Sequence, residues 1–176
     1  MIQIYRDDAI LPILDDVASL YGQVFEKETD FFKLRVKNSI DQRKNPVVIG
    51  KYRDGILVAG LFGFDFRPDN WWAQQIDAYL PAGKNWYANS FELNELFVAK
   101  DCQSQGLGKV LLQNLRQLVA PKNILLSTCE ENSRAIKLYK HLGYRVFSDK
   151  FDFPGKEELY LLMVREGIHD EDSRKN

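Results

Sequence analysis

At 176 residues, 45% of them hydrophobic, the chain is long enough to bury one substantial core and gives no sign of a second. Its 24 basic and 25 acidic residues leave a net charge of −1, which excludes a global attraction to nucleic acid or to an anionic membrane, so any recognition of phosphate has to be local. The N-terminus lacks the apolar core of a signal peptide, no stretch approaches the roughly 20 apolar residues that span a bilayer, and Cys102 and Cys129 make neither a disulfide framework nor a metal cluster; a cytoplasmic protein is expected.

Residues 2–5 read as a short strand. Ile10, Ile13, Leu14, Val17, Leu20, Tyr21 and Val24 then mark one face of a long helix with Pro12 in its first turn. A second helix covers residues 29–42, with Phe32, Val36 and Ile40 four apart, and ends before Lys44-Asn45-Pro46; its apolar face belongs either beneath a sheet or beside a substrate cleft. Residues 47–53 and 56–66 are strands joined by Asp54-Gly55, a dipeptide suited to tight hairpins. Between 67 and 89 the pattern breaks: Pro68, Pro81 and Gly83 interleave with Trp71, Trp72, Tyr79, Trp86 and Tyr87, and no regular element is assigned.

Residues 91–98, FELNELFV, form the next strand, and Val110, Leu111, Leu112, Leu115, Leu118 and Val119 the apolar face of the next helix. A buried strand at 123–129 follows, then a helix at 132–142 capped by Asn132 and stopped at Gly143, and strands at 144–148 and 157–164. One domain is expected over 1–165, with 166–176 a polar, frayed tail. The order β-α-α-β-β-β-α-β-α-β-β implies an α/β fold with a mixed sheet covered by helices on both faces.

Between the strand at 91–98 and the helix after it lies Gln103-Ser104-Gln105-Gly106-Leu107-Gly108. Glycines there let the backbone turn tightly and approach a ligand, so that unpaired N–H groups at the helix start can converge on an anion. The bland alternative is an ordinary tight turn. A P-loop is excluded because Gly108-Lys109 precedes Val110 and not a hydroxyl residue, and a dinucleotide fingerprint because no third glycine follows until Gly143.

Gln103-x-x-Gly106-x-Gly108 resembles the Gln/Arg-x-x-Gly-x-Gly/Ala signature of the GCN5-related N-acetyltransferase (GNAT) superfamily. Asn132, Ala135, Leu138, Tyr139, Gly143 and Tyr144 are similar in spacing to that family's Asn-x-x-Ala-x-x-Leu-Tyr-x-x-x-Gly-Phe segment. The resemblance covers residues 91–147; it departs at Ser104, where many members have glycine, and at Lys100, where many have proline. It implies the acyl-CoA N-acyltransferase fold, with a central, mostly antiparallel mixed sheet, and acetyl-CoA as co-substrate without a metal. It further implies that Gln103, Ser104, Gln105, Gly106, Leu107, Gly108 and Lys109 hold the pyrophosphate. On the preceding strand, the Leu96 N–H would hold the thioester carbonyl and Phe97 and Val98 the pantetheine arm.

Acetyl transfer to an amine needs a neutral nucleophile, and deprotonating an alkylamine at neutral pH costs roughly 4 to 5 kcal/mol. Glu95 and Glu92 are the candidate bases. Three residues apart on a strand, they point to opposite faces, so at most one reaches the cleft directly; a solvated or strand-edge carboxylate is the alternative for each. The resemblance makes Tyr139 the general acid toward the CoA sulfur, against a plain helical core aromatic, and lets Asn132 contact CoA besides capping its helix. Trp71 and Trp72 are candidate acceptor-binding residues, because aromatic faces hold cations. Cys102, beside the loop, is either a passive reduced cysteine or a reactive thiol, and neither His141 nor His169 has the companions of a metal ligand. The expected partners are acetyl-CoA and an amine acceptor, with no nucleic acid or membrane; a homodimer stays open. A CoA-binding module without turnover and an antibiotic-modifying enzyme for polyamine-like drugs are the competing functions.

Overall fold

The computed structural model describes residues 1–148 and 150–167. Its elements run β1 (Ile2–Arg6), α1 (Leu14–Phe25), α2 (Asp30–Asp41), β2 (Val47–Arg53), β3 (Ile56–Asp65), α3 (Trp71–Ile76), β4 (Ser90–Val98), α4 (Leu107–Val119), β5 (Asn123–Cys129), α5 (Ser133–His141), β6 (Arg145–Val146), β7 (Phe151–Asp152) and β8 (Leu159–Arg165). Hydrogen bonding orders the strands β1-β2-β3-β4-β5-β8-β6, with β7 on β8. β4 and β5 pair in parallel, whereas β1–β2, β2–β3, β5–β8, β6–β8 and β7–β8 are antiparallel. This is the mixed sheet with helices that the element order implied, mostly antiparallel as the resemblance implied. Among the described residues the chain forms two compact units, one of Met1–Asp65 with Leu93–Leu118, the other of Phe66–Glu92 with the described residues after Leu118.

In the first unit, β2 and β3 bury alternate residues on both faces, as a strand period of two dictates. Val48 and its partner Phe62, with Phe64, pack with Ile10, Leu14, Val17 and Tyr21, with Phe32 and Val36 of α2, and with Phe97 of β4. Tyr21 stacks on Phe32 at 4.5 Å between ring centroids, and Phe97 meets Tyr21 edge-on at 6.0 Å. Gly60 of β3 is required here, because a Cβ at that position would come within 2.5 Å of the Phe97 ring. Ile49 and Leu61 are buried on the opposite face, and α4 buries Leu107, Leu111, Leu112 and Leu115.

The first helix starts later than the periodicity predicts. Residues Asp7–Ile13 form a 3-10 segment containing Pro12, and the α-helix begins only at Leu14. Proline has no N–H to donate, and its ring crowds the carbonyl four residues back, so an α-helical ladder cannot run through it. Ile10 is nevertheless fully buried, so the core position was read correctly from a segment of different geometry.

The second unit is built on β5 and β8, with Leu126 opposite Met163 and the two-residue strands β6 and β7 attached to β8. Its core joins Phe66, Trp72, Ala73, Ile76 and Trp86 to Leu125, Phe151, Phe153, Leu162 and Val164. The 67–89 segment therefore does contain regular structure, α3 followed by a 3-10 turn at Asp77–Tyr79. Six residues are too few for helical periodicity to stand out among prolines and aromatics. The strand expected at 144–148 shrinks to Arg145–Val146, because the Tyr144 N–H is still bonded to the Tyr139 carbonyl at the end of α5. At the start of the polar tail, Glu166 accepts from Lys84 Nζ (3.3 Å) and Arg145 Nη2 (2.9 Å), and the Gly167 N–H donates to Asn123 Oδ1. Residues 168–176, including His169, lie outside the described residues. Among the described residues, no helix is long and apolar enough to cross a membrane.

Candidate active site

The end of β4 and the start of α4 are joined by a single 3-10 turn at Lys100–Cys102 and the glycine loop. Ser104 and Gly106 both have left-handed backbone, φ 62° and 77°, on either side of Gln105. Alternation of that kind turns successive backbone N–H groups toward one side, the geometry of an anion nest. A Cβ on Gly106 would meet no atom within 4 Å, so the space over that glycine is open. The first α4 bond runs from the Val110 N–H to the Gly106 carbonyl (3.1 Å), which leaves the N–H groups of Leu107, Gly108 and Lys109 without an intrahelical acceptor.

The loop side chains are tied back to their own unit. Gln103 Nε2 donates to the Val98 carbonyl (3.2 Å), Gln105 Nε2 to the Asp101 carbonyl (3.4 Å), and Arg53 Nη2 to Gln105 Oε1 (2.9 Å). Arg53 also reaches the Cys102 sulfur (3.8 Å), and Cys102 is buried, which favours the passive thiol. Arg53 was not visible as a loop residue in the sequence, because it sits fifty positions upstream at the end of β2 with no local motif around it. With the side chains engaged elsewhere, the loop presents backbone.

The two glutamates of β4 have different surroundings. Glu92 is almost fully buried and accepts from Asn70 Nδ2 (2.9 Å). Glu95 faces α2, where Arg35 Nη1 donates to Glu95 Oε1 (3.1 Å) and to Asn94 Oδ1 (2.8 Å). Burial pushes the Glu95 carboxyl above the usual range, opposed by the positive charges of Arg35 and Lys27. Burial likewise raises the Tyr21 phenol, helped by the Glu95 charge and opposed by Arg35. Tyr21 and Arg35 thus join Glu95 in one cluster that sequence reasoning missed. The only signal was a polar residue flanking the apolar stripe Phe32–Val36.

In the second unit, Asn132 caps α5 through its side-chain oxygen, which accepts from the Ala135 N–H (3.2 Å), and Gly143 ends the helix at φ 90°. Tyr139 is 8% exposed, its ring 5.5 Å from that of Tyr144. The paired tryptophans separate: Trp72 is a core residue whose Nε1 donates to Ser127 Oγ (3.0 Å), while Trp71 is 62% exposed and tilted against Phe153. Adjacent residues on a helix point about 100° apart, so only one of the pair can face the core. Among the described residues, no group of three His, Cys, Asp or Glu side chains could hold a metal.

The family model for the acetyltransferase (GNAT) domain matches residues 68–146. A GCN5-like protein acetyltransferase of Mycobacterium tuberculosis is 31% identical over 119 residues, 62% of this chain and 58% of its own length. The probable spermine N(1)-acetyltransferase of Bacillus subtilis subsp. natto is 33% identical over 126 residues, 67% of this chain and 68% of its own. A Salmonella typhimurium protein solved with its cofactor acetyl-CoA shares the fold at a TM-score of 0.66, with 16% identity and 96% of each chain covered. The protein therefore has the acyl-CoA N-acyltransferase fold. It belongs to the GNAT superfamily, whose members use acetyl-CoA as donor.

Proposed function

We propose that this protein transfers an acetyl group from acetyl-CoA directly to the primary amine of a small molecule or peptide. The observation that carries the reading is the pair of left-handed residues, Ser104 and Gly106, opening α4 beneath unobstructed space. Backbone N–H groups presented in this way suit a pyrophosphate without help from basic side chains. A relative named for spermine supports an amine nitrogen as acceptor, and two free cysteines, Cys102 and Cys129, fit a reducing, cytoplasmic setting.

Bound acetyl-CoA would supply the thioester, whose acyl carbon the amine attacks as the C–S bond breaks. Residues 103–109 hold its phosphates, and the backbone of Phe97 and Val98 its pantetheine arm. The Leu96 N–H donates to the acyl oxygen as negative charge develops there. Glu95 takes the proton from the attacking nitrogen; a carboxylate raised by burial is the stronger base for it. Tyr139 donates its phenolic proton to the departing sulfur, and Asn132 orders the start of the helix that carries it. Trp71 offers an exposed aromatic face to the acceptor.

The test is thioester consumption across amines, alcohols and peptides, followed by Tyr139→Phe on the best acceptor. Turnover should fall with CoA affinity held. CoA binding without consumption of any amine would favour the non-catalytic module, and a Tyr139→Phe enzyme with full turnover across pH would remove the proton-donor assignment.

A further inference from the structure

The cluster around Glu95 constrains the acceptor. Glu95 is held by Arg35, and the charges that act on it, Arg35 and Lys27, are both positive. Two other carboxylates of this unit are also paired, Asp15 with Lys33 at 2.7 Å and Glu26 with Lys100 at 3.0 Å. A polyamine brings several positive charges and would have to displace Arg35 from Glu95 to be read there. Cationic surroundings of this sign favour a ligand that brings a negative charge.

Arg35 has the capacity to receive that charge. A guanidinium carries five N–H donors. Its acceptors among the described residues are Asn94 Oδ1 and Glu95 Oε1, both on Nη1, with the Tyr21 hydroxyl alongside, so donors remain in excess. The Arg35 side chain is 39% exposed, so it is open in part to solvent. One helical turn before it on the same face of α2, Phe31 is 80% exposed, and Leu34, three residues after Phe31, is 53% exposed. An arginine that is anchored through Nη1, part-exposed and one helical turn from the exposed ring of Phe31 matches an apolar carboxylate.

We propose that the acceptor is an amino-acid-like molecule, a primary amine with a carboxylate beside it and an apolar side chain, and that Arg35 binds the carboxylate. The inference rests on the acetyltransferase reading and deepens it. Arg35 then acts as a specificity-determining residue: its Nη1 fixes Glu95 for the amine, and its remaining donors fix the acceptor.

The experiment compares kcat/KM for L-phenylalanine with phenethylamine, and for L-leucine with isoamylamine, with spermidine as a third acceptor, in the wild type and in Arg35→Gln. The expected result is a preference of about tenfold or more for each aminocarboxylate over its decarboxylated partner, falling toward one in the variant while the KM for acetyl-CoA holds. Turnover of phenethylamine or spermidine equal to or better than that of L-phenylalanine would overturn the inference and leave the acetyltransferase function standing. So would an Arg35→Gln enzyme that loses both members of a pair equally, since that is what a purely structural ion pair predicts. Consumption of no amine at all would remove the acetyltransferase reading and this inference with it. Should Arg35→Gln fail to fold, the wild-type ratios alone decide, and Arg35→Lys, which keeps the charge and loses the fork, supplies the intermediate ratio.

Discussion

Gly106→Ala separates the backbone cost of the loop from its role in holding phosphate. At φ 77° a Cβ costs roughly 1 to 2 kcal/mol, offset by about 0.4 to 1 kcal/mol from the stiffer unfolded chain. No clash adds to this, because the space around that Cβ is empty for 4 Å. A net loss of about 1 kcal/mol in a chain of this length lowers Tm by roughly 2 to 4 °C. Gly155, in the turn between β7 and β8, has φ 75° and equally open surroundings, so Gly155→Ala should cost the same. The two variants part when CoA is added. A methyl group over the nest should remove one charge-assisted hydrogen bond, at about 1.5 to 3 kcal/mol, and weaken CoA binding roughly tenfold to a hundredfold. At a CoA concentration of about 100 times the wild-type Kd, ligand stabilisation of about 2.7 kcal/mol falls to about 1.4 or 0.4 kcal/mol for those two losses. Thermal melts with and without CoA, checked by calorimetric titration, read both effects. If Gly106→Ala and Gly155→Ala keep the same CoA-induced rise in Tm as the wild type, the loop is a turn and the nest argument is wrong.

Gly60→Ala should destabilise by about 1 to 3 kcal/mol without touching the loop, because its Cβ would lie 2.5 Å from the ring of Phe97, which is buried in the core and has little room to give; an unchanged denaturation midpoint would contradict the close approach of β3 and that ring. Asn132→Ala removes the cap on the Ala135 N–H and should cost about 1 kcal/mol in chemical denaturation, with Asn132→Asp retaining most of it. Tyr87 is pushed up to about 12 by burial and then by its hydrogen bond to Asp77. Its folded pKa lies above the unfolded value near 10, so its stabilising effect is complete below pH 10 and is lost as pH rises toward 12. Tyr87→Phe should flatten that alkaline decline in Tm, and an unaltered slope between pH 10 and 12 would place the titration elsewhere.

Elements whose cause is local were legible in the sequence. Asp54-Gly55 closes the β2–β3 hairpin with both residues left-handed, and Asn132 and Gly143 bracket α5, because each acts on its own backbone within three or four residues. The glycine loop was legible for the same reason. What stayed hidden depends on residues far apart in the chain. Arg53 reaches Gln105 across fifty-two positions, and Arg35 reaches Glu95 across sixty, with nothing in either neighbourhood to announce the partner. The α3 helix escaped because its six residues bury Trp72, Ala73 and Ile76 together, a pattern that only the core of the second unit explains.

The two glutamates show how far spacing alone carries a chemical argument. Their separation of three predicts opposite faces; Asn70 donates to Glu92 and Arg35 to Glu95. Spacing cannot rank them as bases, because that depends on what each carboxylate meets. Glu92 is almost wholly buried, which leaves little route for a proton to an incoming amine, whereas the Glu95 side chain keeps 19% of its surface exposed. At Glu95, burial and the Arg35 charge pull in opposite directions, and burial prevails. A carboxylate in that balance accepts a proton more readily than one in water. Removing the arginine takes away the charge that opposes burial, so Arg35→Gln should move the acidic limb of the kcat/KM profile to higher pH. An acidic limb that stays in place would mean that Glu95 is not the group whose ionisation the rate reports.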